Sequence, residues 1–357
     1  MQPRRRLVVV IGVDAHKRTH TFVAVNEIGR KLGEKTVAAT SEGHLDAVQW
    51  ATKWPQVRFA LEDCRHLTRR LEQDLLAAGH RVTRVPPRLM AGARRCSREQ
   101  GKSDPIDAES VALAALRHPD LPAAELDGPT REVKLLVDHR RVLVAERTRL
   151  ASRVRWYLHE IDPGLRIPSR SLRRQCVIQA LSERLQGIEG MVARLAREQL
   201  ARCQELTVQI NALEREIRTL VRRLAPELLQ IPGCGVLSAG MILGETAGAL
   251  RFRSSDAYAR FNGTAPVQVW TGSKRVRLNR GGNRTINTAL HMMAVTQVRG
   301  VGPGKNYVDG LLARGKTRTE AVRLLRRRLS DVVFRTLVKI ERARAEEASE
   351  RRLRLVA

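Results

Sequence analysis

The sequence predicts an α/β domain followed by a mainly helical remainder, and three features carry that expectation. The run Leu7-Val-Val-Val-Ile-Gly-Val-Asp14 is apolar or small up to a terminal carboxylate, which reads as a strand buried on both faces. Strand-like and helix-like stretches alternate from there to about residue 118. Beyond the Pro- and Gly-marked linker that runs from Pro119 to Pro129, helical periodicity dominates.

In order, the first strand is followed by a second apolar strand, His20–Val25, and a turn at Asn26–Gly29. A third strand at Lys35–Ala39 completes a meander. A helix runs from Ser41, read as its N-cap, to Trp54. Val57-Arg-Phe-Ala-Leu-Glu62 is a strand that also ends in an acid. A helix over about 66–78 and a short strand Arg81–Val85 follow, closed by Pro86-Pro87. The basic stretch Arg88–Lys102 leads into a helix whose first turn carries Asp104 and Asp107, three apart and so on one face. Three strands, a helix, then alternating strand and helix is the order of an RNase H-like domain. In that order Asp14 and Glu62 end neighbouring strands, and the helix of Asp104 and Asp107 packs across them. Glu109 and Asp63 face other ways.

Helical sequence then spans about 130–161, with Leu136, Leu143, Leu150 and Tyr157 recurring at seven but Arg140 and Arg147 among the alternate positions. A second long helix runs over about 191–224, where Leu206, Ile210, Leu213, Ile217, Leu220 and Leu224 keep a 4-3 rhythm. That stripe serves either two antiparallel helices of one chain or a coiled-coil dimer. Ile231-Pro-Gly-Cys-Gly235 resembles the hairpin of a helix-hairpin-helix element, whose backbone N–H groups meet phosphates. A loop-like segment, Phe261–Ser273, precedes the basic, glycine-bearing Lys274–Arg284. A helical, arginine-rich segment closes the chain. The expected domains are 1–122, a catalytic domain; 123–225, a helical coiled-coil dimerisation region; 226–310, a second functional domain; and 311–357, a basic helical tail.

Charge narrows the function. Lys and Arg number 65 against 37 Asp and Glu, a net +28, which points to a polyanion such as nucleic acid. Five Phe, four Trp and three Tyr are too few for base stacking to dominate, so backbone contacts are expected. Five well-separated cysteines argue against a disulfide framework or structural zinc. No apolar run approaches a membrane span and no signal-peptide pattern is present, so a cytoplasmic, DNA-associated protein is expected. Four clustered carboxylates, Asp14, Glu62, Asp104 and Asp107, need a cation to remain ionised side by side. Oxygen-only donors suit Mg²⁺ or Mn²⁺, the ions of two-metal phosphodiester chemistry.

These residues also carry a resemblance. Val13-Asp14-x-x-Lys17, Leu61-Glu62 and Lys102-Ser-Asp104-x-x-Asp107-Ala resemble the DEDD transposases of bacterial insertion sequences. Ile231-Pro-Gly-x-Gly235, Arg251-Phe252, Gly263-Thr-Ala-Pro266 and Arg280-Gly-Gly-Asn283-Arg284 resemble that family's C-terminal transposase domain. The resemblance implies a RuvC-type N-terminal domain, like that of Holliday-junction resolvases. It implies a DNA recombinase that performs transposition of its own element, guided by a bridge RNA that pairs with donor and target DNA. It also implies a serine nucleophile that forms a phosphoserine intermediate. The matching position here is Thr271, before Gly272, with Ser273 as the alternative. Lys17, Lys102, Gly233, Gly235, Lys274, Arg275, Arg277, Arg280, Asn283 and Arg284 are the expected nucleic-acid contacts. A homodimer pairing to a tetramer on DNA is the expected assembly. The competing expectations are a junction endonuclease that uses water, and a non-catalytic nucleic-acid-binding protein.

Overall fold

The computed structural model describes residues 8–87, 89–90, 92, 103–121, 123–124, 126, 128–168, 170–268, 272, 276–277, 279, 281–300 and 303–356. The chain divides into two compact units, Met1–Asp127 and Gly128–Ala357.

The first unit is built on a five-stranded sheet. Its strands are β1 (Val9–Ala15), β2 (Thr19–Val25), β3 (Lys31–Ala38), β4 (Val57–Glu62) and β5 (Arg81–Val85). They lie in the order β3-β2-β1-β4-β5. β1 pairs antiparallel with β2 and parallel with β4, and β4 pairs parallel with β5. A meander followed by parallel strands, with β1 in the middle, is the RNase H-like arrangement. Burial on both faces explains the continuous apolar run of β1. On one face Ile11, Val13, Phe59 and Leu61 pack with Ala47, Leu71 and Leu75 of α1 (Ser41–Ala51) and α2 (Arg65–Ala77). On the other, Val10, Val23 and Ala60 pack with Ala108, Val111 and Ala115 of α3 (Asp104–Arg117). The cap of α1 is Thr40 rather than Ser41; its side chain accepts from Gly43 N at 3.2 Å. The Arg84 Nε and Nη2 groups donate to the two oxygens of the buried Glu72 at 2.5 and 2.6 Å, which ties β5 to α2.

A buried imidazole pair sits beneath α1. His20, 2% exposed, stacks on His44 with ring centroids 5.3 Å apart, and His44 Nδ1 lies 2.5 Å from Asp74 Oδ2. Burial, and then the neighbouring His44, push the His20 pKa down to about 4. The unfolded chain therefore binds a proton here that the folded chain refuses. The contribution of neutral His20 to stability is complete above its unfolded pKa of about 6.5. It is lost as pH falls from there towards 4, by about 3 kcal/mol at most. His20→Phe should flatten that part of the pH dependence in denaturant titrations between pH 7 and pH 4. An unchanged slope would mean that His20 takes up a proton without cost.

The second unit has one helical pair as its spine. α4 (Pro129–Ile161) and α6 (Met191–Leu224) run antiparallel, with α5 (Gln175–Leu185) packed at the far end. Val133 and Val137 meet Ile217, Val221 and Leu224; Leu143 meets Leu206 and Ile210; Val154 and Leu158 meet Ala196, Leu200 and Cys203. The 4-3 stripe of α6, expected to carry a homodimer, is thus covered by α4 of the same chain. The two arginines that interrupt the α4 heptad account for this. Arg140 Nη2 donates to Glu214 Oε2 at 2.8 Å and Arg147 Nη1 to Thr207 Oγ1 at 3.1 Å, so polar bridges to α6 occupy the seam.

α7 (Val236–Thr246), α8 (Ser255–Asn262), α9 (Arg284–Val298), α10 (Gly304–Ala313) and α11 (Arg318–Val356) complete the unit. Their core includes Ile242, Tyr258, Leu290, Met293, Leu325, Val333 and Leu337, and is continuous with the α4 and α6 ends at Val133 and Ile217. The boundaries expected at 225/226 and 310/311 run through this shared core. The expected basic helical tail is packed against α8 and α9 through Leu325 to Ile340. Among the described residues no helix is long and apolar enough to cross a membrane.

Candidate active site

Strand register and helix approach together build the acidic site. Val13 pairs with Leu61, so Asp14 and Glu62 are the next residues along two parallel neighbours. Val13 and Leu61 lie in the α1/α2-side core. Alternation therefore sends Asp14 and Glu62 to the α3 side, as it does Val10 and Ala60. The helix reaches that face closely because residue 12 is glycine. A Cβ built on Gly12 would stand 2.0 Å from the Ala108 carbonyl oxygen and 2.5 Å from Ala112 N. Asp107, the residue before Ala108, is thereby brought within electrostatic reach of Asp14, with both residues 7% exposed. Asp104 opens the helix after Ser103, half-exposed, with Pro105 in its first turn.

The tight turn from β1 to β2, closed by His16 N donating to Thr19 O at 2.9 Å, adds a residue that strand-end reasoning missed. His16 Nε2 lies 3.1 Å from Asp14 Oδ2 and 3.4 Å from Asp104 Oδ1. One ligand atom from each of Asp14, His16 and Asp104 falls within 4.8 Å of the others. The signal available in sequence was the i, i+2 spacing of Asp14 and His16 at a strand end. Cys64 is a second omission. Burial, then the charges of Glu62 and Asp14, push its thiol pKa up to about 11, so it stands as a neutral group beside both acids.

The electrostatics fit a divalent cation. Burial raises the Asp14 pKa most; His16 opposes it, while Asp107 and then Asp104 push it further up. A buried carboxylate whose pKa two neighbouring carboxylates push up, with a nitrogen donor at its edge, is a setting that a bound metal ion neutralises. Of the four expected acids, Asp14 and Asp104 have oxygens in that 4.8 Å group, whereas Glu62 is placed beside Asp14 by strand register and Asp107 by its charge on Asp14.

In the second unit the structure pins the ends of the segment expected to hold the nucleophile. β6 (Val267–Gln268) pairs antiparallel with β7 (Val276–Arg277). Thr271 and Ser273 fall between these strands in sequence and lie outside the described residues. So do Lys102, Lys274, Arg275 and Arg280. At the base, Gly263 has φ +76° and Gly282 approaches it so closely that a Cβ there would be 2.2 Å from Gly263 N. Asn262 Nδ2 donates to Ser330 Oγ at 2.7 Å and Asn287 Nδ2 donates to Asn262 O at 3.1 Å. Arg326 Nη1 donates to Asn287 Oδ1 at 3.0 Å, so α11 buttresses the same turn.

Two expected nucleic-acid contacts, Asn283 and Gly233, have work within the fold. The Asn283 side chain caps α9, accepting from Thr285 N and Ile286 N at 3.0 Å, and donates to Glu245 at 2.6 Å. Gly233, at φ +77°, faces the Met293 carbonyl; its neighbour's carbonyl, Pro232 O, accepts from Gln297 Nε2 at 2.7 Å. Arg251 of the Arg251-Phe252 motif, which was not among those contacts, lies over the Phe252 and Phe261 rings, 4.4 and 5.1 Å from their centroids. Lys17, Gly235 and Arg284 are exposed and available.

Comparison with known proteins agrees with the two halves of this description. A family model for IS110-type DEDD transposases matches residues 11–163, and the transposase IS116/IS110/IS902 family model matches residues 225–309. The chain belongs to the IS110 family of DEDD transposases. Among its relatives, the 43.6 kDa protein of insertion element IS110 from Streptomyces coelicolor is 28% identical, covering 92% of this chain and 94% of that one. The 42 kDa protein of insertion element IS900 from Mycobacterium paratuberculosis is 26% identical, over 91% and 94%. The transposase for insertion sequence element IS1328 from Yersinia enterocolitica is 23% identical, over 86% and 90%. T. thermophilus RuvC in complex with a Holliday junction substrate aligns with 31% of this chain and 94% of that one, at 15% identity and a TM-score of 0.26. As a transposase of this family the protein acts on DNA, and its Gly263-Thr-Ala-Pro266 and Gly281-Gly282-Asn283 motifs are the close backbone crossing and helix cap described above.

Proposed function

We propose that this transposase cuts and rejoins DNA with a divalent-cation site of Asp14, Glu62, Asp104 and Asp107 and a hydroxyl nucleophile from the 269–275 segment. The observation that carries the reading is the convergence of Asp14 and Asp107 from elements 93 residues apart, with Gly12 permitting the approach. The four carboxylates would hold Mg²⁺ or Mn²⁺, which supplies stabilisation of charge on the phosphorane and a lower hydroxyl pKa. Asp14 and Asp107, both buried, fix the position of the scissile phosphate. Thr271 is the hydroxyl that matches the family's serine, with Ser273 as the alternative. Its extra methyl restricts the rotamer. Exposed Lys17 and Arg284, with Lys102, Lys274, Arg275, Arg277 and Arg280, neutralise the DNA backbone and a bridge RNA, in keeping with the net charge of +28. Two exchanges require at least two active sites, so the working assembly is a homodimer that pairs to a tetramer on donor and target DNA.

The covalent intermediate is the test. Protein trapped on nicked DNA should migrate as an adduct on denaturing gels. Thr271→Ala should remove the adduct, Thr271→Ser should keep or raise it, and Ser273→Ala should leave it. Loss with Ser273→Ala alone transfers the role to Ser273. Cleavage without adduct from the parent and from Thr271→Ser means that water is the nucleophile and the protein acts as a junction endonuclease.

A further inference from the structure

We infer that His16 is a nitrogen ligand of the divalent cation, so that this site is a mixed imidazole–carboxylate centre that selects Mn²⁺ over Mg²⁺. The inference rests on the metal-site reading above and adds a donor, and a preference, that four carboxylates would not have.

The geometry carries it. Asp14 is the penultimate residue of β1, and His16 is the first residue of the turn that follows it. The backbone of His16 is held by its bond to Thr19 O, so the ring is placed by the sheet rather than by a free loop. Its Nε2 stands between a buried carboxylate oxygen of Asp14 and one of Asp104, at 3.1 and 3.4 Å. The three ligand atoms lie within 4.8 Å of one another, close enough for one cation to touch all three after small side-chain rotations. The imidazole is half-exposed, so it can turn from its carboxylate partner to an ion without breaking any core packing.

The chemistry gives the preference. Mg²⁺ demands hard oxygen donors and near-ideal octahedral geometry, and it sheds water reluctantly. Imidazole nitrogen is a borderline donor that favours the transition metals. Replacing a water or carboxylate oxygen by His16 Nε2 therefore improves Mn²⁺ binding and does little for Mg²⁺. In a site of oxygens alone the two ions would be held more nearly alike.

The experiment uses the full chain with Mn²⁺ as the probe, read by electron spin-echo envelope modulation, with Asp14→Asn to identify ions held at this site. The parent should show ¹⁴N modulation from a directly bound imidazole. His16→Ala should still bind Mn²⁺ but lose the modulation. The ratio of Mg²⁺ to Mn²⁺ dissociation constants, from competition titrations, should fall about tenfold in His16→Ala. Mn²⁺ bound in an Asp14-dependent way without ¹⁴N modulation overturns the role of His16 and leaves the carboxylate site standing. Modulation that survives His16→Ala assigns the nitrogen to another residue and also overturns it. Absence of Asp14-dependent Mn²⁺ binding removes both this inference and the metal-site reading.

Discussion

Replacing Asp14 by Asn should abolish DNA strand cleavage while leaving the fold intact or firmer. Asp14 is buried, and Asp107 and Asp104 raise its pKa, so a neutral amide of the same shape relieves repulsion in the metal-free protein. The same change removes an oxygen from the centre that must stabilise the phosphorane. A loss of about three orders of magnitude in cleavage rate is expected, equivalent to about 4 kcal/mol in the barrier. Melting temperature should hold or rise. Cleavage of a nicked-junction substrate by Asp14→Asn within tenfold of the parent would show that these carboxylates are not the reaction centre. A large fall in melting temperature would instead mean that Asp14 is a structural residue.

Gly12→Ala should cause a large loss of stability in the first unit. The added Cβ meets a backbone carbonyl oxygen at 2.0 Å and the Ala112 Cβ at 2.8 Å, and neither can rotate away. Either α3 retreats from β1 by more than an ångström or the sheet bends. Overpacking of this kind costs about 3 kcal/mol. For a unit of this size that corresponds to a fall of about 10 °C in melting temperature. Retreat of α3 also carries Asp107 away from Asp14, so Mn²⁺ affinity should fall in the same variant even at temperatures where it remains folded. A melting temperature within about 2 °C of the parent would show that α3 is not held as close as the structure places it.

How much of this was legible beforehand depends on the range of each interaction. The strands and helices of the first unit are visible because alternation and the 3.6-residue period are local. Asp104 and Asp107 share a face for the same reason, and the family motifs sit on contiguous residues. The Thr40 cap was missed by one position because Thr40 and Ser41 are both competent caps and only the backbone geometry chooses between them. His16 was overlooked because a turn, rather than a period, returns its ring to Asp14. The α6 stripe announced a partner without naming it. Arg140 and Arg147 were the clue to an intramolecular seam, but their acceptors Glu214 and Thr207 lie on the other helix, in register only once the pair is antiparallel.

The sequence by itself determined the order of elements, the four candidate acids, the strongly basic character and the family. Tertiary structure alone decided which face Asp14 and Glu62 share with α3, why residue 12 is glycine, and that Asn283 is a helix cap. It also decided that the last helix belongs to the core. The division has one physical cause. Periodicity and motif are properties of neighbours along the chain, whereas Gly12 against Ala108, or Asn262 against Ser330, are contacts whose distance is set by the packing of whole elements.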